Sequence, residues 1–217
     1  MRAVGTQKNS LRVSAINSVA TYLLPSVCER FMKEHPGIHL EIQDMTMRAA
    51  CQKLIQGETD LAFTTDAPIS EQVRAETILE EPMVLICSAE SGYPDGIEAR
   101  ALPIAQEVYV EWDRGFADWH KQVWGADAVP QIQLEIMSQL QLFAAKKNVW
   151  AVVPLSVADG LCAAGIRHLS PVFPLPDRKV YALQKKGTTP EASQVFLNMA
   201  RQLWHSTTLE AQYLNGT

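Results

Sequence analysis

The strongest constraint on the fold is a regular exchange of two hydrophobic periods along the first third of the chain. Apolar and polar residues alternate, or apolar residues run together, as they do in strands, at residues 10–13, 38–42 and 60–63. Between these segments, apolar residues recur at helical spacing at residues 23–32 and 47–55. Strand, helix, strand, helix, strand in this order predicts parallel strands with right-handed crossovers, which is an α/β fold.

The same exchange resumes later in the chain. Two short strands are predicted near residues 73–78 and 83–87, and a loose segment at 91–96 marks a crossing between two lobes. A second α/β set follows, with strands predicted at 108–112, 132–136, 150–153 and 179–183 and helices at 116–124, 138–147, 155–164 and 190–205. Ser138 and Gln141 have the spacing of a capping box, so Ser138 is predicted to cap its helix.

Composition excludes several classes of protein. The 217 residues are 47% hydrophobic with a net charge of -5, which suits a packed core and argues against direct binding of nucleic acid. No apolar run reaches the roughly 18 to 20 residues that cross a bilayer. The first ten residues lack the apolar region of a secretory signal. We therefore expect no membrane contact and a cytoplasmic location.

The sequence offers no pattern of catalytic or metal-binding residues. It lacks a GxSxG elbow, a glycine-rich phosphate loop and HExxH, and its five histidines are not at metal-ligand spacing. The four cysteines form no CxxC pair and are expected to be buried apolar thiols. Neither catalysis nor a cofactor nor a metal site is predicted.

Two long stretches resemble the effector domain of LysR-type transcription regulators. The first is LRVSAINSVATYLLPSVCERFMKEHPGIHLEI, with its "LLP" and "HPG", and the second is LIQGETDLAF. The segment from Phe143 to Pro154 corresponds to a helix, turn and strand of that family. Where the family often has Gly-x-Gly, this chain has Lys147 and Val149, and Asn148 between them can adopt the left-handed conformation required there.

The resemblance implies two Rossmann-like lobes joined by crossover strands, a fold like that of type II periplasmic binding proteins. The first lobe would take residues 10–87 plus 182–206, and the second 88–181. A small polar or anionic effector would bind in the cleft between them. The chain begins too late for the family's N-terminal winged helix-turn-helix, so we expect a fragment of a longer protein that binds DNA only through that domain. The resemblance also implies self-association as a dimer or tetramer.

Candidate ligand-binding residues follow strand ends or begin helices, where helix N-termini favour anions. They are Asn17, Ser18, Thr21, Thr46, Thr64 and Thr65 in the first lobe, and Trp112, Arg114 and Ser138 in the second. For the serines and threonines the alternative is a purely structural role in capping helices or forming loops. Trp112 could equally stack on a ligand or pack in the core.

Three other functions remain open at this point. A solute-binding protein of a transport system has the same architecture, and a sequence upstream of Met1 would distinguish the two. A small α/β enzyme with unfamiliar motifs is the second alternative. The third is a regulator that senses oxidation through Cys28, Cys51 or a methionine.

Overall fold

The computed structural model describes residues 9–161, 165–187 and 190–214, with side chains in the last range described to residue 204. The chain forms two compact units. Unit 1 contains the described residues up to Leu79 and from Lys179 onward, and unit 2 is Glu80–Arg178. None of the helices in the described ranges is both long and apolar enough to span a membrane.

Unit 1 is a mixed sheet with helices on its two faces. Its strands, in the order β2-β1-β3-β9-β4, are β2 (His39–Asp44), β1 (Ser10–Ala15), β3 (Leu61–Thr64), most of β9 (Asp177–Lys185) and the first half of β4 (Val73–Ser88). β1 pairs in parallel with both β2 and β3, as the sequence predicts. β9 returns antiparallel to β3, with Phe63 opposite Ala182.

The helices of unit 1 are α1 (Leu24–Glu34), α2 (Met47–Gln56) and α5 (Glu191–Leu214). The alternation of β1 buries Leu11, Val13 and Ala15 in the core that also contains Phe31 of α1 and Phe196 of α5. On the other face, Ala62 and Leu183 pack against Ala50 and Leu54 of α2. Gly57, with a φ of +74°, ends α2 in the left-handed conformation that glycine adopts readily at helix ends.

The helical segment at the start of unit 1 begins earlier than Pro25. A single π-helical turn, Val19–Leu23, precedes α1, and the N–H of Leu24 donates to Val19 O, five residues back. Pro25 then occupies the first turn of α1, where its missing N–H costs least. α1 ends at Glu34 with His35 as its C-cap, directly before Pro36, which could not continue the helix.

Unit 2 combines an antiparallel group of strands with a parallel pair. β4 pairs antiparallel with β7 (Trp150–Pro154) and with β8 (Ile166–Leu169), so its second half is the middle strand of that group. β5 (Val108–Val110) pairs in parallel with β6 (Ile132–Leu134). The helices are α3 (Arg114–Trp124) and α4 (Leu155–Leu161). Trp150 of β7 is fully buried.

Several predicted elements are wrong in detail. Instead of two strands at 73–78 and 83–87, one strand, β4, runs from Val73 to Ser88. The α-helix predicted at 138–147 is a short 3₁₀-helix, Met137–Leu142, followed by turns. Ile136, not Ser138, is its N-cap, and no side chain caps it, so the predicted capping role of Ser138 is also wrong. Asn148 does adopt a left-handed conformation, with a φ of 62°.

The two units divide at different residues from the predicted lobes. The chain passes between units after Leu79 and after Arg178, whereas the resemblance implies passage after residues 87 and 181. The difference at the first crossing follows from β4, because its residues 83–88 pair with β7 and β8 of unit 2.

Candidate functional site

Three strand ends meet at one edge of unit 1. The N–H of Ile16, just after β1, donates to Phe63 O of β3, and the N–H of Met45, just after β2, donates to Ala15 O. The segments that follow the three parallel strands are therefore neighbours. This is the edge at which open α/β sheets bind ligands.

The first of these segments carries Asn17, Ser18 and Thr21. Asn17 Nδ2 donates to Asp44 Oδ2 at 2.5 Å, which ties the start of the helical segment to the end of β2. Ser18 is buried and precedes the π-helical turn, but its side chain makes no capping hydrogen bond there. Thr21 is exposed within that turn. Ser18 is thus placed at the sheet edge without the capping role that was its alternative explanation.

The other two segments carry the three threonines. Thr46 is the N-cap of α2, and its Oγ1 accepts a long hydrogen bond of 3.4 Å from the N–H of Ala49. Thr64 is fully buried and donates to Asp66 O at 2.8 Å, so its hydroxyl holds the turn after β3. Thr65 is partly exposed beside it. Thr46 and Thr64 therefore have structural roles at the edge to which the sequence assigned them.

In unit 2, the candidates likewise follow the carboxyl ends of parallel strands. Residues 112–114 follow β5, and Ser138 lies four residues after β6, the parallel partner of β5. Trp112 is buried, and its Nε1 donates to Val152 O at 2.8 Å. Arg114 is exposed at the first residue of α3, and Ser138 is partly exposed. The edge thus offers one exposed cation and one hydroxyl, while the Trp112 indole packs internally.

A buried charge cluster lies behind this edge of unit 2. Arg178 is completely buried, and its Nε donates to Glu81 Oε1 at 3.1 Å. Glu81 also accepts from the N–H and the hydroxyl of Ser156, at 2.8 and 3.1 Å, where α4 begins. The guanidinium carbon of Arg178 lies 5.9 Å from the centre of the Trp112 ring. The cluster therefore links Trp112 and the start of α4 to β4, which carries Glu81, and to β9, which carries Arg178.

Sequence reasoning missed this cluster and two further groups. Asp113 caps α3 by accepting from the N–H of Phe116 at 2.7 Å, and its only sequence signal is an aspartate three residues before an aromatic helix face. Glu107 and His120 form a second buried pair. Charged residues are normally exposed, so nothing in a single sequence marks these as buried.

Electrostatics disfavour oxidation at the three described cysteines. Burial raises the pKa of the Cys28 thiol to about 11 and also raises the pKa of Cys51 and Cys87. Oxidation requires the thiolate, which is therefore scarce at neutral pH at these three positions. Cys162 lies outside the described residues. Among the described residues, no group of three acidic, histidine or cysteine side chains could hold a metal ion.

Comparison with known proteins assigns the family. The family model for the LysR substrate binding domain matches residues 5–204. The chain belongs to this family, whose members are effector-binding domains of transcription regulators rather than enzymes.

Individual relatives agree with this assignment. The HTH-type transcriptional regulator CysB of Haemophilus influenzae is 45% identical over 58 residues, which cover 27% of this chain and 18% of that protein. The RuBisCO operon transcriptional regulator of Allochromatium vinosum is 25% identical over 111 residues, covering 51% of this chain and 36% of that protein. The aligned part therefore covers at most 36% of the length of these two relatives.

Solved structures confirm the predicted fold class. The reduced regulatory domain of OxyR from Pseudomonas aeruginosa superposes with a TM-score of 0.74 at 19% identity, covering 89% of this chain and 97% of that one. The effector binding domain of a BenM variant gives a TM-score of 0.67 at 16% identity, covering 92% and 96%. The fold is that of type II periplasmic binding proteins.

Proposed function

We propose that the full-length protein is a transcription regulator of the cytoplasm and that this domain senses a small polar or anionic effector for it. DNA would be bound by a separate N-terminal domain. The observation that carries the proposal is the meeting of three strand ends in unit 1. The names of the relatives, all transcription regulators, favour this function over the solute-binding alternative.

The chemistry of the unit 1 edge favours a ligand with hydrogen-bond acceptors. Two helical segments, one starting at Asn17 and one at Met47, begin there, and the positive ends of helices attract carboxylates and similar groups. The exposed carboxylates of Asp44 and Asp66 stand at the same edge and oppose a high negative charge. We therefore propose an effector with no more than one or two anionic groups.

Within this proposal, Ser18 supplies the central hydroxyl of unit 1, with Asn17, Thr21, Thr46 and Thr65 around it. Thr64 shapes the turn after β3. From unit 2 we propose Arg114 and Ser138 as ligand-binding residues, because they are exposed or partly exposed at a strand-end edge. Trp112 would act by positioning that edge through its bond to Val152.

A thermal-shift screen of small carboxylates and other polar metabolites tests the proposal, because a ligand that binds only the folded domain raises its melting temperature. Calorimetry then compares the Ser18→Ala and Ser138→Ala variants with the unmodified domain. Loss of one hydrogen bond to a charged ligand group is expected to weaken binding roughly ten- to hundredfold. Ser26→Ala is the matched control, since this exposed serine of α1 donates its hydroxyl to Leu23 O, at the end of the preceding π-helical turn.

The outcome distinguishes a ligand-binding role from a structural one. Neither serine caps a helix through its side chain, so little loss of stability from capping is expected. If both variants melt at lower temperature but bind the ligand with unchanged affinity, the assignment of these serines to the effector site is wrong.

We also propose that the domain self-associates. Large apolar side chains are exposed on α1 and β2 of unit 1, at Met32 and Ile42, and near the 3₁₀-helix of unit 2, at Ile136 and Leu142. The resemblance to the family implies that the unit 1 surface of one copy contacts the unit 2 surface of a second copy. Exposed apolar patches of this kind commonly mark protein interfaces.

A further inference from the structure

A small cavity of about 210 Å³ lies in unit 2 between α3 and the β5–β6 pair. Its polar lining comprises Tyr109, Glu111, His120, Lys121 and Gln133, and Ala128 forms part of its wall. Tyr109 of β5 and Glu111, the first residue after that strand, both line the cavity. Trp112 and Arg114, which belong to the unit 2 edge described above, do not line the cavity.

The imidazole of His120, which lines this cavity, is hydrogen-bonded to a buried carboxylate. His120 Nε2 lies 3.1 and 2.9 Å from the two carboxylate oxygens of Glu107, and both side chains are at least 95% buried. A carboxylate accepts hydrogen bonds, so the Nε2 position carries the proton and donates to Glu107. The aromatic rings of Tyr109 and Trp124, each 4.8 Å from the imidazole, hold it in this orientation.

The other ring nitrogen of His120, Nδ1, takes no part in the bond to Glu107. In the described part of the chain, Nδ1 has no hydrogen-bond partner, and the imidazole to which it belongs lines the cavity. With Nε2 protonated, Nδ1 of a neutral ring presents a lone pair. A carboxylate on one nitrogen fixes the tautomer of the ring and the direction of the other nitrogen, the arrangement by which proteins orient an imidazole that binds a ligand.

The charges around the cavity define what it would accept. Glu107 and Glu111 contribute two carboxylates against the single ammonium of Lys121. Tyr109 keeps its hydroxyl proton, because burial followed by the charge of Glu111 raises its pKa to about 12. The volume accommodates roughly seven water molecules, so only a small ligand fits.

We propose that this cavity binds a small organic ammonium compound, whose N–H groups donate to His120 Nδ1 and to the Glu111 carboxylate. This site is separate from the effector edges described above, and it gives the domain a second input. Because the hydrogen bond from Nε2 to the buried Glu107 already orients the His120 ring, binding of a ligand at Nδ1 requires no rearrangement of the imidazole.

Ethanolamine is a suitable probe, and the ¹⁵N resonance of His120 Nδ1 in histidine-labelled domain is the readout. Ethylene glycol and glycolate, of similar size, are the neutral and anionic controls, and each titration is run with and without EDTA, which removes metal ions. For so few atoms we expect a dissociation constant on the order of 0.1 to 1 mM for ethanolamine. Neither control compound should move the resonance to a comparable extent.

Two variants and a matched control complete the test. Ala128→Phe fills the cavity and should abolish the shift, whereas Val129→Phe places the same ring on the adjacent residue, which is exposed and does not line the cavity. Glu111→Gln should weaken binding about tenfold through loss of a charged acceptor. The proposal is overturned if ethanolamine leaves Nδ1 unperturbed, if Ala128→Phe binds it normally, if glycolate acts equally well, or if the shift occurs only without EDTA.

Discussion

At the scale of single residues, the buried pair of Arg178 and Glu81 dominates unit 2. Moving two charges out of water carries a large desolvation cost, which their attraction offsets only when further hydrogen bonds satisfy the remaining polar atoms. Here Ser156 supplies two of those bonds to Glu81, through its N–H and its hydroxyl. Removal of any one of these three residues therefore leaves a buried polar or charged group without its partner.

Replacement of Arg178 by methionine should therefore destabilise the domain strongly. The change leaves the Glu81 carboxylate buried without its cation, and loss of one partner of a buried pair costs about 3 to 5 kcal/mol. The free energy of unfolding in urea measures the effect. Arg74→Met is the control, because Arg74 is 67% exposed in its ion pair with Glu76 and should contribute at most about 1 kcal/mol.

A second variant separates charge from packing. If the loss arises from the uncompensated carboxylate, the combined Glu81→Leu and Arg178→Met variant should recover much of the stability, since well-packed apolar replacements of buried pairs are often tolerated. Equal destabilisation in the single and combined variants would instead assign the loss to packing around Trp112. Such pairs are invisible in the sequence, where Glu81 reads as a surface residue beside Glu80.

At the scale of elements, the N-caps of α3 and α2 differ in the length of their capping hydrogen bonds. Asp113 accepts a 2.7 Å bond from the first turn of α3, whereas Thr46 accepts a 3.4 Å bond at the start of α2. Asp113 also adds a negative charge near the positive end of its helix. We expect Asp113→Ala to cost about 1 to 2 kcal/mol in unfolding free energy and Thr46→Ala about 0.5 kcal/mol.

Conservative variants identify the cause. Asp113→Asn and Thr46→Ser retain a capping oxygen and should restore most of the stability measured by urea unfolding. A Thr46→Ala variant that loses more stability than Asp113→Ala would contradict the ranking by bond length.

Elements with strong periodicity are those that the sequence predicts well. β1, β2, β3, α1 and α2 all lie where alternation, helical spacing and terminal signals such as Gly57 agree. The 3₁₀-helix at Met137–Leu142 was predicted as an α-helix because its apolar spacing resembles one, although the chain turns at Phe143. The joining of two predicted strands into β4 depends on pairing with β7 and β8, which are 60 or more residues away in sequence. Long-range pairing of this kind cannot be read from local pattern.

The candidate site was predictable only in outline. The residues that follow strand ends lie at the edges of the two sheets, because the carboxyl ends of parallel strands meet by geometry. Which hydroxyls cap helices and which do not depends on backbone angles, and Ser138 shows this most clearly. Its capping-box spacing is present, but the helix begins one residue earlier, with Ile136 as N-cap.

At the scale of the whole molecule, exposed apolar residues favour self-association more than the net charge opposes it. β2 is the edge strand of the unit 1 sheet, and Ile42 on it is 38% exposed, while Met32 on α1 is 54% exposed. An edge strand beside an exposed apolar helix face is a surface that proteins normally cover. A net charge of -5 is small enough to permit association of two copies.

Self-association through this surface makes the last prediction. In a two-fold interface each substitution occurs twice, so Met32→Glu or Ile42→Glu should weaken the dimer by at least about tenfold in dissociation constant. Sedimentation velocity over a range of concentrations measures this. Ile69→Glu is the matched control, because Ile69 is a fully exposed isoleucine of the same unit in the loop after β3, outside the β2–α1 surface. An unmodified domain that remains monomeric at high micromolar concentration, or an Ile69→Glu variant that dissociates as readily as Ile42→Glu, would exclude β2 and α1 as the interface.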